Sequence, residues 1–328
     1  MNKMTYKDAA TEALTQAMEA DSNVFLFGEG VDNINGIMGH VKPAFAKFGP
    51  SRVIDTPLSE NGLTGFAIGA ALAGMRPVLI HQRDDFMSLT LTEMSIAAMM
   101  RYSSGGKHKV PMTILSFIAR RSGEGCWHSQ SLQSVFAHFP GIKVGMPASP
   151  IDVKGMILAA IFDDDPVVIL EHRHTPMFEM RGFVPKEVYK TPFKPKLVQP
   201  GNDITVVTTS IALLDALDAL GTSDDSEDGL QINAEIIDLR WLKPLDPEII
   251  IDSVKKTGRL LVVDTGWSFC GIASEIVAVA AERAGNYFKC LPRRITLPDT
   301  PCPASEALLK NYHPNPEMII RTVKEMIK

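Results

Sequence analysis

Residues 52–74 read RVIDTPLSENGLTGFAIGAALAG. The stretch opens with the β-branched pair Val53 and Ile54, turns at Asp55-Thr56-Pro57, and sets one acid, Glu60, just before a run of small and apolar residues. A short apolar strand, a polar turn and then a helix of small residues form the unit of a parallel α/β sheet, in which each strand is regained through a crossover and helices cover both faces. The helix reads as buried, and its glycines as positions of close helix packing. A carboxylate at such a strand-to-helix junction stands at the carboxyl end of the sheet, where open α/β folds bind ligands.

Working outward, the same alternation continues. Ala9, Ala10, Ala13, Leu14, Ala17 and Met18 recur at helical spacing and read as a first helix, with no apolar leader core or cleavage site. NVFLFGEG, RPVLIHQ, VPMTILSFI, IKVGMP and PVVILEHR read as strands, separated by helical stretches such as SPIDVKGMILAAIFD. Residues 184–203 are rich in Pro and Lys without helical period and read as a connecting segment. Strand and helix then alternate to the C-terminus. The expectation is α/β with two domains, each a largely parallel sheet covered by helices: 1–185, a linker at 186–200, and 201–328. The acidic run SDDSEDG at 223–229 reads as a solvated loop.

Composition narrows the function. At 328 residues and 45% hydrophobic, the chain can bury a large core in about two domains. A formal charge of −5 gives no field for nucleic acid or an anionic membrane. No apolar run approaches the ~18 residues of a membrane span. Four scattered cysteines with no CxxC pair argue against zinc or a disulfide framework and fit a reducing, cytoplasmic setting.

Nucleotide, zinc-protease and serine-elbow motifs are absent. What remains is a set of polar groups at strand ends: Glu29 in FGEG, Glu60, Gln82, and His128 in GEGCWHSQS. Taken singly, each fits a helix cap or a hydrogen-bonded core group as well as a site.

Their order along the chain is more specific. FGPSRVIDTPLSENGLTGFAIGAALAGMRPV, RYSSGGKHKVP, HSQS, FAHFPGIKVGMPASPIDVKGMILAAI, AEIIDLRWLKPLDPE, SVKKTGRLLVV and PDTPCPAS run co-linearly through nearly the whole sequence. Together they resemble the β subunit of the thiamine-diphosphate-dependent decarboxylating component of 2-oxo acid dehydrogenase complexes, of the pyruvate, branched-chain and acetoin type. The resemblance implies a pyrimidine-binding domain followed by a transketolase C-terminal domain. It also implies that Glu60 hydrogen-bonds the aminopyrimidine N1′ and favours the imino tautomer that activates the thiazolium carbon. A carboxyl buried beside an apolar helix is suited to that role, because burial disfavours its charged form. By the same resemblance Leu58 and Gln82 lie against the cofactor, Phe86 packs on the pyrimidine, Glu29 joins Glu60 in an acidic chain, and His128 lines the substrate side.

No GDG motif is present. In the resembled family that motif, which holds the diphosphate and Mg2+, belongs to a separate α subunit. The implied assembly is therefore α2β2, with a second β subunit and a lipoyl acyltransferase as further partners. A two-subunit transketolase-like or carboligating enzyme that does not use lipoate is the alternative reading. The sequence departs from the family where PVLIHQRDDF has Ile80 in place of an acid and Arg83 in place of an aromatic, and where ILSFIARRSGEG has Leu115 in place of an arginine with Arg120 and Arg121 beyond it. Arg83 reads either as paired with Asp84, Asp85 or another acid, or, with Arg120 or Arg121, as the receiver of an anionic substrate group. FDDDP around Asp163 and Asp165 reads as a solvated turn near a place where relatives bind a cation.

Overall fold

The computed structural model describes residues 1–32, 41–120, 123–221 and 232–328; Arg121 and the acidic run at 223–229 lie outside them. The chain divides into two compact units, Met1–Arg120 with Trp127–Pro192, and Arg121–Cys126 with Phe193–Lys328.

The first unit contains, in chain order, β1 (Asn2–Thr5), α1 (Tyr6–Ala20), β2 (Val24–Gly28), α2 (Lys42–Phe48), β3 (Val53–Asp55), α3 (Glu60–Leu72), β4 (Arg76–His81), α4 (Asp84–Met87), α5 (Leu91–Ser103), β5 (Thr113–Ala119), α6 (Gln133–His138), β6 (Lys143–Gly145), α7 (Pro150–Ile161), β7 (Val167–Arg173), α8 (Thr175–Glu179) and β8 (Arg181–Val184). Six of its strands run parallel in the order β6-β7-β5-β4-β2-β3. β1 and β8 form a separate antiparallel pair.

The apolar periodicity of α1 buries Tyr6, Ala9, Ala10, Ala13, Leu14, Ala17 and Met18. The helix starts where Thr5 and Asp8 cap each other's backbone N–H groups. β2, β5 and β7 are buried almost throughout, as a doubly covered parallel sheet requires. Gly28 closes β2 with φ of +151°, and a Cβ there would stand 2.3 Å from the Ile80 carbonyl oxygen. Only glycine lets β2 and β4 meet so closely at the point where both chains leave the sheet.

Two expectations change here. Asp163, Asp164 and Asp165 do not form a plain solvated turn. Lys143 binds Asp163 at 2.6 Å, Lys109 binds Asp164 at 2.6 Å, and Arg101 binds Asp165 at 2.7 Å. The carboxylates are thus already committed to cations of the chain. α3, read as a buried helix, buries only Thr64, Ala67, Ile68 and Ala71. Phe66 is 55% exposed, and a Cβ added at Gly65 or Gly69 would meet nothing within 4 Å. Among the described residues, nothing packs into the space of their missing side chains.

The second unit contains β9 (Lys196–Gln199), β10 (Ile204–Thr208), α9 (Ala212–Leu220), β11 (Ala234–Asp238), β12 (Trp241–Lys243), α10 (Glu248–Thr257), β13 (Leu260–Trp267), α11 (Ile272–Ala284), β14 (Arg293–Leu297), α12 (Glu306–Tyr312) and α13 (Pro316–Ile327). Its sheet runs β14-β13-β10-β11-β9, parallel except for β9, which is antiparallel to β11. β9 falls in the Pro- and Lys-rich segment read from the sequence as irregular. Its place at a sheet edge explains the composition, since edge strands tolerate Lys and flanking Pro.

Candidate active site

β3, β2, β4 and β5 lie side by side and end on the same side of the sheet. The segments leaving them enclose a cavity of about 420 Å³ lined by Glu29, Leu58, Ser59, Glu60, Leu63, Ile80, His81, Gln82, Arg83, Phe86, Leu89 and His128. Seven of the nine site residues expected from the sequence therefore meet in one place: Glu29, Leu58, Glu60, Gln82, Arg83, Phe86 and His128. Arg120, buried at the end of β5, is not among the lining residues. Arg121 lies outside the described residues.

Glu60 is the first residue of α3, an acid in the first turn where the helix dipole favours negative charge. Its own carbonyl accepts a hydrogen bond from Thr64 Oγ1 at 2.8 Å. The side chain is half-buried, not buried as expected, because the α3 face beside it is uncovered among the described residues. Leu58, at 68% exposure, and Leu89, at 61%, flank it as open apolar groups.

Across the cavity, Gln82 donates its Nε2 to the Glu29 carbonyl at 2.9 Å, and the Gly30 N–H donates to Asp55 at 2.6 Å. The turn after β2 is thus tied to both neighbouring strand ends. Glu29 itself is exposed and lines the same cavity as the half-buried Glu60.

Phe86 and His128 are both half-buried and meet edge to face, with ring centroids 5.6 Å apart and an interplanar angle of 79°. The two aspartates beside Phe86 hold that arrangement. Asp85 Oδ1 accepts the Gln130 N–H at 2.9 Å, and Asp84 Oδ2 accepts the Leu132 N–H at 2.9 Å, so α4 clasps the loop that carries His128. Burial pushes the Asp84 carboxyl well above the usual carboxylate range, against the hydrogen bond from Leu132. Asp85 is raised by the same cause, opposed by its backbone hydrogen bonds and by Arg83 and His128. The guanidinium of Arg83 is lowered by burial, with Asp85 and Asp84 acting the other way. Arg83 thus sits in the field of the acids that the sequence offered as partners, while it also lines the cavity.

Sequence reasoning missed two things. The acids Asp84 and Asp85 were read only as partners of Arg83, and their work on the 130–132 backbone has no local signal. His81 was passed over, although an imidazole closing the apolar strand RPVLIH is a visible anomaly. It is 5% exposed, and burial pushes its pKa down to about 4. Among the described residues no cluster of three or more His, Cys, Asp or Glu is arranged to hold a metal ion. No helix among the described residues is long and apolar enough to cross a membrane.

Residues 2–177 match the transketolase pyrimidine-binding domain, and 194–319 match the transketolase C-terminal domain. Across its full length the chain is 37% identical to the pyruvate dehydrogenase E1 component subunit beta of Bacillus subtilis, covering 100% of both. It is 36% identical to the acetoin:2,6-dichlorophenolindophenol oxidoreductase subunit beta of Cupriavidus necator, covering 99% of this chain and 98% of that one. The chain belongs to the E1 β-subunit family. A third member, the 2-oxoisovalerate dehydrogenase subunit beta of Bacillus subtilis, is 35% identical over 99% of each chain. The fold is shared more widely: a solved split-gene transketolase, an inactive β4 tetramer, aligns with a TM-score of 0.78 over 99% of this chain and 98% of that one, at 20% identity. An E1 β chain with this pyrimidine-binding domain is a thiamine-diphosphate protein, and a β subunit implies an α partner.

Proposed function

We propose that this chain is the β subunit of a thiamine-diphosphate-dependent 2-oxo acid dehydrogenase that decarboxylates its substrate and passes the acyl group to a lipoyl carrier, and that it holds the pyrimidine half of a site completed by an α subunit. The observation that carries the reading is the convergence of Glu60, Phe86 and His128 on one cavity at the carboxyl ends of parallel strands.

The residues present fit an aminopyrimidine. Glu60 offers a carboxyl group for a ring nitrogen, Phe86 offers a flat apolar face, and the Gln82 amide is fixed in place by Glu29. When bound, the cofactor supplies the carbanion chemistry of decarboxylation. The chain's own residues then have separable tasks. Glu60 would offer its carboxyl group to N1′, and Glu29 is a second carboxyl at the same wall. His128, clasped through Gln130 and Leu132, moves a proton on the substrate side. Leu58 and Leu89 exclude water once a partner covers them.

Mg2+ and the diphosphate fall to the α subunit in this reading, as the carboxylates around Asp163 are paired with lysine and arginine. The uncovered α3 face supports an α-subunit contact, since Gly65 and Gly69 leave room for another chain to approach the helix backbone. The assembly proposed is α2β2, working in the cytoplasm, where four free cysteines stay reduced, with a lipoyl acyltransferase as acceptor.

The test is turnover of a panel of 2-oxo acids by the chain co-purified with its α subunit, using an artificial electron acceptor. Glu60→Gln keeps the size of the group and removes its acid function, and the expected loss is at least ~100-fold in turnover. Wild-type rates in that variant would remove Glu60 from the mechanism.

A further inference from the structure

His81 ends β4 and lines the cavity between Ile80 and Gln82. It is buried to 5% exposure, and its Nε2 has no hydrogen-bond partner among the described residues. With a pKa pushed down to about 4 by burial, the ring is neutral at working pH and keeps one N–H donor and one nitrogen acceptor. Its register partner on β5, Ser116, is fully buried, with an Oγ that lacks a partner among the described residues. Of the polar groups nearby, Gln82 Nε2 donates to the Glu29 carbonyl, while Asp85 and Asp84 each bind one backbone N–H, of Gln130 and Leu132, and keep a second buried oxygen unpartnered among the described residues; neither aspartate lines the cavity. Of these residues with an unpartnered buried atom, His81 is the one that lines the cavity. A plain alkyl chain would leave that nitrogen desolvated and unmatched, whereas an oxygen on the ligand would satisfy it.

We infer that His81 is a specificity-determining residue whose ring nitrogen hydrogen-bonds a hydroxyl on the carbon chain of the substrate, so that the enzyme takes hydroxylated 2-oxo acids in preference to alkyl ones. This rests on the 2-oxo acid dehydrogenase reading above and names its substrate class.

The test uses the enzyme assembled with its α subunit and an isosteric pair, 4-hydroxy-2-oxobutanoate and 2-oxopentanoate, which differ by a hydroxyl in place of a methyl. The wild type is expected to favour the hydroxy acid in kcat/KM by ~10-fold or more, the scale of a buried hydrogen bond made or lost. His81→Leu should bring that ratio to about 1 or below, and His81→Gln, which restores a donor and an acceptor, should recover part of it. A wild-type preference for the alkyl acid, or a preference surviving in His81→Leu, would overturn the inference. If the assembled enzyme turns over no 2-oxo acid, the reaction class fails. Recognition is then read by calorimetry with the matching pair of acylphosphonates, which mimic 2-oxo acids without losing CO2. Tighter binding of the hydroxy analogue that is lost in His81→Leu upholds the role of His81, and equal affinities refute it.

Discussion

Asp84 and Asp85 occupy consecutive positions of a single-turn helix, yet each takes a backbone N–H from the loop that presents His128. Asp84→Asn keeps an acceptor for the Leu132 N–H, while Asp84→Ala leaves that buried donor unmatched and should cost about 1–3 kcal/mol. Denaturant melts of the two variants should therefore differ, with the alanine variant the weaker; equal stabilities would mean that the clasp contributes nothing. Glu171 in β7 gives a pH signature. Burial pushes its carboxyl up to about 8, against a hydrogen bond from Tyr6. The folded chain thus keeps a proton that the unfolded chain gives up near pH 4.5, and stability falls as pH rises between those values. Glu171→Gln cannot lose a proton, so its stability relative to wild type should improve from pH 6 to pH 9 in chemical denaturation. An unchanged difference would place a charged Glu171 in the folded state.

At the scale of elements, α3 is where one chain looks incomplete. Gly69→Ala adds a methyl into open space in a helix interior and should stabilise the isolated chain by about 0.5–1 kcal/mol. On the proposed assembly the same methyl enters the interface and should weaken association with the α subunit. A stability gain with unchanged assembly, read by melting and by sedimentation, would show that the face is simply solvent-exposed. This helix also marks a limit of sequence reading. Apolar pattern reports that a face avoids water, but a face covered by its own fold and one awaiting another chain are written in the same residues. Where both sides of the contact lie within the unit, the pattern was legible: Ala9, Ala13 and Ala17 do bury one face of α1, and the strands around NVFLFG and VVILEHR form as read. The convergence of Glu29, Glu60 and Gln82 was readable because parallel strands bring their ends together, whereas Glu60's partial burial depends on what covers α3. β9 was hidden because four residues at an edge carry too little apolar periodicity. The ion pairs of Asp163 to Asp165 were hidden because Arg101, Lys109 and Lys143 reach them through the fold.

For the whole molecule, the central claim is that this chain supplies one half of a thiamine diphosphate site and that another chain supplies the other half. The cavity has the carboxyl and aromatic groups suited to a pyrimidine. The most direct measurement is titration calorimetry of thiamine diphosphate with Mg2+ into this chain alone, into the α subunit alone, and into the two together. Tight, Mg2+-dependent binding is expected for the mixture and not for this chain alone. Tight Mg2+-dependent binding by this chain alone would contradict the account.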